Sequence, residues 1–183
     1  MKKLLSLLAA LLLAITSSVS FAQDKSASAN SGGPTDPQIA AIVVAANTVD
    51  INAGKLAKSK AHNKDVKAFA QQMITDHTGV NKQATALVKK LGVKPEENAT
   101  SKSLEDGGKK NIAHLKTLKG AQFDKAYVDQ EVTYHQQVLD AIDKTLLPSA
   151  QNAELKDLVT KVRPAIAAHL EHAKQIQSTL NKS

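Results

Sequence analysis

The stretch "VKAFAQQMITDHTGVNKQATALVKKL", residues 66–91, sets Val66, Ala70, Met73, Val80, Ala84, Leu87 and Leu91 in alternating four- and three-residue steps, and His77 fills the slot between Met73 and Val80. That spacing lines all eight residues along one face of a helix, as in the seam of a helix bundle. Asn63 ahead of the stretch and Gly92 behind it are residue types that start and stop helices. A seam that carries an imidazole where its neighbours are aliphatic is the feature to follow outward.

Three further segments repeat the pattern. Over 37–60, Ile39, Val43, Ala46, Val49, Ala53 and Leu56 recur at helical steps, with Asp36 read as the N-cap and Pro37 as the first helical residue. Gly54 weakens that helix locally. A third helix is expected over 121–146, stopping before Pro148. A fourth is expected over 152–180, with the stripe Leu155, Val159, Val162, Ile166, His169, Ala173, Ile176 and Leu180 and a kink at Pro164. Between the second and third lies "SLEDGGKKNIAHLKTLKG", residues 103–120. Ile112, Leu115 and Leu118 suggest a short extra helix there, while Gly107-Gly108 argue against a long one. No segment alternates with a two-residue period. The fold expected is all-α, a four-helix bundle over residues 37–181 with that short extra helix between its second and third members.

The polar residues in the seams generalise. His77 stands in the second helix, His169 in the fourth, and "YVDQEVTYHQQVLDAI", residues 127–142, puts Glu131 and His135 on the face that carries Val128, Val138 and Ile142. Asp50 lies beside the seam of the first helix. Counted from the turns near residues 62 and 149, these residues lie at similar levels, within about one helical turn at ~1.5 Å per residue. Three imidazoles and two carboxylates converging in a core suit a single transition-metal ion, Zn, Cu, Fe or Mn. They also suit a buried hydrogen-bond network that fixes bundle register. A lone histidine on an apolar face is more often a hydrogen-bonded core residue than a ligand. Recurrence over separate helices is what puts the metal forward, and both readings stand at this stage. His172, three residues after His169, reads as an edge residue. Asp76 points about 100° from His77 and reads as lying outside the site, with Tyr134 flanking His135 in the same way. Met73 reads as core filler.

Composition sets the remaining bounds. The 183 residues carry 24 Lys and Arg against 17 Asp and Glu, a net charge of +7. The segment "MKKLLSLLAALLLAITSSVSFA", residues 1–22, has two lysines, an apolar run and small residues up to Ala22, the layout of an export signal cleaved after Ala22. Removing Lys2 and Lys3 leaves +5. Residues 23–36, "QDKSASANSGGPTD", read as a flexible leader. The expected location is the periplasm or the exterior, since no second apolar run of spanning length is read. There is no cysteine, which removes thiolate metal sites and thiol chemistry. Three Phe and two Tyr give no stacking platform, and scattered lysines give no nucleic-acid footprint. Weak attraction to anionic membrane surfaces is the most that the charge implies. No phosphate-binding loop, nucleophile elbow or Ser-His-Asp pattern is present; a metal-dependent enzyme stands as the last of the readings, since no separate acid, base or substrate cleft is read.

Three segments, "ANTVDINAGKLAKSKAHNKDVKAFAQQMITDHTGVNKQ", "FDKAYVDQEVTYHQQVL" and "VRPAIAAHLEHA", resemble the bacterial envelope family catalogued as domain of unknown function 4142. The pieces that carry the resemblance are Asp76-His77, Tyr127 with His135, and Pro164 with His169-Leu170. It covers about residues 36–180 and implies a ferritin-like, exported bundle without an established activity. The family usually carries Glu where this chain has Asp50, and often an acidic residue where it has Tyr134. A ferritin-type di-iron centre needs Glu-x-x-His on two helices, and no such motif falls at the seam positions here. The resemblance thus points to the bundle and to His77, His135 and His169, and not to ferroxidase chemistry.

Overall fold

A computed structural model describes residues 32–182. The export signal expected at 1–22 and most of the leader expected at 23–36 lie outside the described residues. Among the described residues the chain is all-helical, without a strand. The elements are α1 (Asp36–Lys60), α2 (Lys64–Lys90), α3 (Ala99–Thr117) and α4 (Gly120–Ala141). A π-helical turn (Ile142–Leu146) carries α4 into the short α5 (Leu147–Ser149), and α6 (Ala153–Leu180) follows.

The helix ends follow from side-chain chemistry. Asn63 Oδ1 accepts from the backbone N–H groups of Asp65 and Val66 at 2.8 and 3.2 Å, satisfying donors that the first turn leaves over. Asn98 and Asn152 cap α3 and α6 in the same way. Gly92 ends α2 with φ at 65°. Val93 N donates to Val88 O at 3.0 Å and Gly92 N to Lys89 O at 3.2 Å, the paired bonds of a Schellman ending. At α1 the structure corrects the expected cap. Thr35 precedes the helix and its N–H donates to Gln38 Oε1, while Asp36 is the first helical residue. The Asp36 carboxylate instead accepts from Gln151 N and Asn152 N, each at 2.9 Å. It ties the end of α5 to the start of α1.

Long-range hydrogen bonds fix the direction of each helix. Glu96 N donates to Pro37 O and Asn98 Nδ2 to Gln38 O, so α3 starts where α1 starts. Lys60 Nζ donates to Lys116 O, so the two also end together and run parallel. The backbone N–H groups of His62 and Asn63 donate to the Asp124 carboxylate, which puts the start of α4 beside the α1–α2 turn. The chain runs up α1, down α2, up α3, down α4 and up α6. Packing joins α1 to α2, α2 to α6, α6 to α4 and α4 back to α1, a closed ring of four antiparallel neighbours. α3 lies against the outside of α1.

Gly107-Gly108 do not interrupt α3, which has 19 residues and is longer than expected. A Cβ built on Gly108 would lie 2.8 Å from Val49 Cγ2. Glycine therefore lets α3 approach α1 closely, and the contact outweighs a propensity loss of about 1 kcal/mol. Gly54 does the same between α1 and α2, where a Cβ would lie 3.0 Å from Ala70 O. The third expected helix also differs at its end. The chain stays helical through Pro148, which falls in the first turn of α5, where a missing N–H matters little. Pro164 sits inside α6, which runs as one element from Ala153 to Leu180. α1 is itself long and apolar enough to cross a membrane by composition, a second apolar run that the sequence reading passed over. Here half of that stretch is buried against its neighbours.

The core has two apolar halves. One gathers Ile39, Ile42, Leu139, Ile142, Leu155 and Val159 near the start of α1. The other gathers Phe69, Met73, Leu115, Phe123, Tyr127 and Ala173 toward its end. Phe69, which lies off the seam read from the sequence, is wholly buried in the second half. Between the halves runs a buried polar belt: Asn47, Asp50, His77, Glu131, His135 and His169.

Candidate metal centre

Each ring helix contributes to the belt. α1 supplies Asn47 and Asp50, α2 His77, α4 Glu131 and His135, and α6 His169, and each of these residues is at most 5% exposed. All five residues singled out from the sequence come together. The imidazoles of His77, His135 and His169 form a triangle with ring centroids 5.7, 5.3 and 5.5 Å apart. One nitrogen from each lies within 4.8 Å of the others, and Asp50, Glu131 and His135 satisfy the same test.

The tautomer of each histidine follows from its neighbours. Asn47 Nδ2 donates to Val43 O at 2.8 Å, which fixes the amide so that Oδ1 faces His77 Nδ1 at 2.6 Å. An amide oxygen only accepts, so Nδ1 carries the proton and Nε2 is bare. His135 Nδ1 lies 3.0 Å from the backbone oxygen of Glu131, again an acceptor only, which leaves its Nε2 bare. His169 Nε2 lies 2.9 Å from Asp76 Oδ2, which leaves its Nδ1 bare. Those three bare nitrogens have no hydrogen-bond partner, whereas the Asp50 and Glu131 carboxyls are close enough to share a hydrogen bond when one of them holds a proton. An outer acceptor on one ring nitrogen with the other nitrogen turned inward is the arrangement that orients metal-bound histidines.

Electrostatics agree with neutral rings. Burial, then the neighbouring His135 and His169, pull His77 down to about 3. Burial pulls His135 down to about 4, and burial lowers His169 against the opposing pull of Asp76. Burial pushes Asp50 up to about 7, and burial with the adjacent Asp50 carboxyl pushes Glu131 well above the usual carboxylate range. His77 Nε2 stands 3.3 Å from Asp50 Oδ2. With the proton on Nδ1 this is no ion pair. Two acceptors face each other, and either a proton on Asp50 or a cation between them relieves the contact.

Two residues complete the geometry: Asp76, read from the sequence as pointing away from the site, and Asn47, which that reading passed over. Asp76, its side chain 42% exposed, does not point at the centre, yet it holds His169 from outside. Asn47 lies three residues before Asp50 on the same face of α1, and that spacing was the available signal. Tyr134 is buried and its hydroxyl donates to Ala46 O at 3.0 Å. His172 pairs with Gln72 and sits edge-on to Phe69, outside the belt as expected. Met73 packs in the apolar half, and His62 and His114 are exposed. A pocket of about 270 Å³ between α1, α3 and α4 leads to Asp50 and Glu131 past Ser103, Asn111 and Gln130.

Fold and belt together define an all-helical protein with a buried histidine–carboxylate cluster. The chain belongs to the family described as Domain of unknown function (DUF4142), whose pattern matches residues 21–176. No curated protein and no solved structure matches the chain.

Proposed function

We propose that this is an exported, ferritin-like helical bundle that binds one transition-metal ion through His77 Nε2, His135 Nε2 and His169 Nδ1, with Asp50 and Glu131 completing the set. Its role is metal handling or stress protection in the cell envelope, after cleavage near Ala22. The observation that carries the reading is the three bare ring nitrogens. A polar cluster that only fixed packing would give each nitrogen a partner, since an unpaired buried polar atom costs about 1–3 kcal/mol. One proton on Asp50 serves His77 alone. His135 Nε2 and His169 Nδ1 stay unserved, and a single cation serves all three. Three neutral imidazoles with carboxylates suit Zn, Cu, Fe or Mn. The polar pocket gives a cation a path to the carboxylates.

Untagged protein purified without chelator and assayed for bound metal tests the reading. One ion per chain is expected, with an apparent stabilisation of about 2.7 kcal/mol at a free-ion concentration 100 times Kd. His77→Ala and His169→Ala abolish both. Failure to retain any ion, with those variants merely less stable, sinks the proposal. N-terminal sequencing of the exported protein, expected to begin at Gln23, tests the location separately.

A further inference from the structure

Beside the histidine triangle lies a recess of about 110 Å³ whose rim reaches the exposed residues Thr100 and Gln137. Asn47, Asp50, His77, Tyr134, Gln137 and Thr100 bring polar groups to its wall, and the rest is aliphatic, drawn from all four ring helices and from Leu104 of α3. It differs in kind from the polar pocket that reaches Asp50 and Glu131, although Asp50, Leu104, Tyr134 and Gln137 line both. Its aliphatic part is comparable in size to apolar cavities that accept xenon or a small apolar molecule. A charged ligand would shed its hydration there without recompense. The π-helical turn is part of the wall, since Ile142 and Leu146 both line the recess. Such turns are rare and recur at functional sites. His77, one of its lining residues, carries an Nε2 without a hydrogen-bond partner.

We propose that this recess binds a small uncharged molecule of diatomic size, in the class of dioxygen or nitric oxide, beside His77 and Asp50, from where it would reach an ion held by the cluster. The inference rests on the metal-binding reading and adds a ligand class to it. Cations arrive through the polar pocket and neutral molecules through the aliphatic one.

Two measurements on the full chain test it. In the metal-free protein, xenon should shift the methyl resonances of Val80, Leu104 and Ile166 in a saturable way, and Ala46→Leu, which extends a side chain into the recess, should remove the shifts. In cobalt-loaded protein, nitric oxide should alter the visible ligand-field bands while azide at equal concentration leaves them unchanged. Xenon shifts absent from wild-type protein that still takes up one ion overturn the inference and leave the metal reading intact. A response to azide and none to nitric oxide overturns it as well. Absence of stoichiometric ion overturns the reading on which it rests. The wild-type xenon and cobalt measurements decide the matter even if Ala46→Leu fails to fold.

Discussion

Asn47 holds the proton of His77 in place. Its amide is pinned by Val43 O, so the acceptor it offers cannot rotate away. Asn47→Ala frees the ring to turn and to carry its proton on Nε2, where the ion would sit. Metal affinity should fall about 10- to 100-fold, the usual effect of losing an outer-shell partner, and Asn47→Asp, which keeps an acceptor, should restore most of it. Competition with a chromophoric chelator reads both, and wild-type affinity in Asn47→Ala would remove Asn47 from the account. The buried polar residues themselves were legible because a polar residue in an aliphatic seam breaks a period that can be counted. Asn47 and Asp76 were not legible in the same way. Asp76 sits one residue from His77 and about 100° round the helix, and its partner His169 is 93 residues away. Which side chain on α2 reaches α6 depends on how the two helices are rotated against each other, and no local spacing records that.

At the scale of elements, α3 is where local propensity and packing disagree. Adjacent glycines lower helix propensity, so the sequence suggests a short segment. Packing keeps the helix, because Gly108 faces Val49 and Gly107 faces open space. The two positions should therefore respond oppositely. Gly107→Ala adds helix propensity without a new contact and should stabilise by about 0.5–1 kcal/mol. Gly108→Ala gains the same propensity but meets a β-branched side chain with little freedom to move. Overpacking of that kind costs about 1–3 kcal/mol, so the net effect should be destabilising. Urea melts of both variants read the signs, and Gly108→Ala combined with Val49→Ala should recover part of the loss. Equal stabilisation by both alanines would mean that α3 does not press on α1. The other long helices were legible from seam period and caps, since Asn63 and Gly92 act through chemistry confined to one turn. The π-helical turn after α4 was not, because its inserted residue changes the phase of a helix without a distinctive residue type.

For the whole molecule, the belt makes stability depend on pH in two opposing ways. The three histidines are buried neutral, with His77 near 3 and His135 near 4. In the unfolded chain they take up protons near pH ~6.5, so stability falls as pH drops below that value. The carboxyls act the other way. Folded Asp50 holds its proton to about 7, and Glu131 is also raised. The unfolded chain releases those protons near pH ~4, so the pair disfavours folding as pH rises from there until the folded carboxyls ionise. Between about pH 4 and 6.5 the histidine and carboxyl effects oppose each other and the slope is shallow. Below about pH 4 both effects fade, as the unfolded carboxyls keep their protons and His135, then His77, take up theirs in the folded chain. Above about pH 6.5 only the carboxyl effect is left, and stability declines again. The melting temperature of metal-free protein should thus peak near neutrality, and Asp50→Asn should flatten the alkaline side. A melting temperature that climbs steadily to pH 9 contradicts this assignment of charges.

The tie between Asp36 and residues 151–152 also bears on the order of events in time. The belt draws its side chains from residue 50 to residue 169, and the last helix is stitched back to the first turn of the first. A chain that emerges N-terminus first presents Asp50 early and must wait for α6 before His169 arrives. No shorter piece offers the three imidazoles together, so a partly emerged chain competes poorly for metal. Under the metal-binding proposal, capture of an ion would mark the moment at which the ring closes, and an unfinished or clipped chain would be left empty.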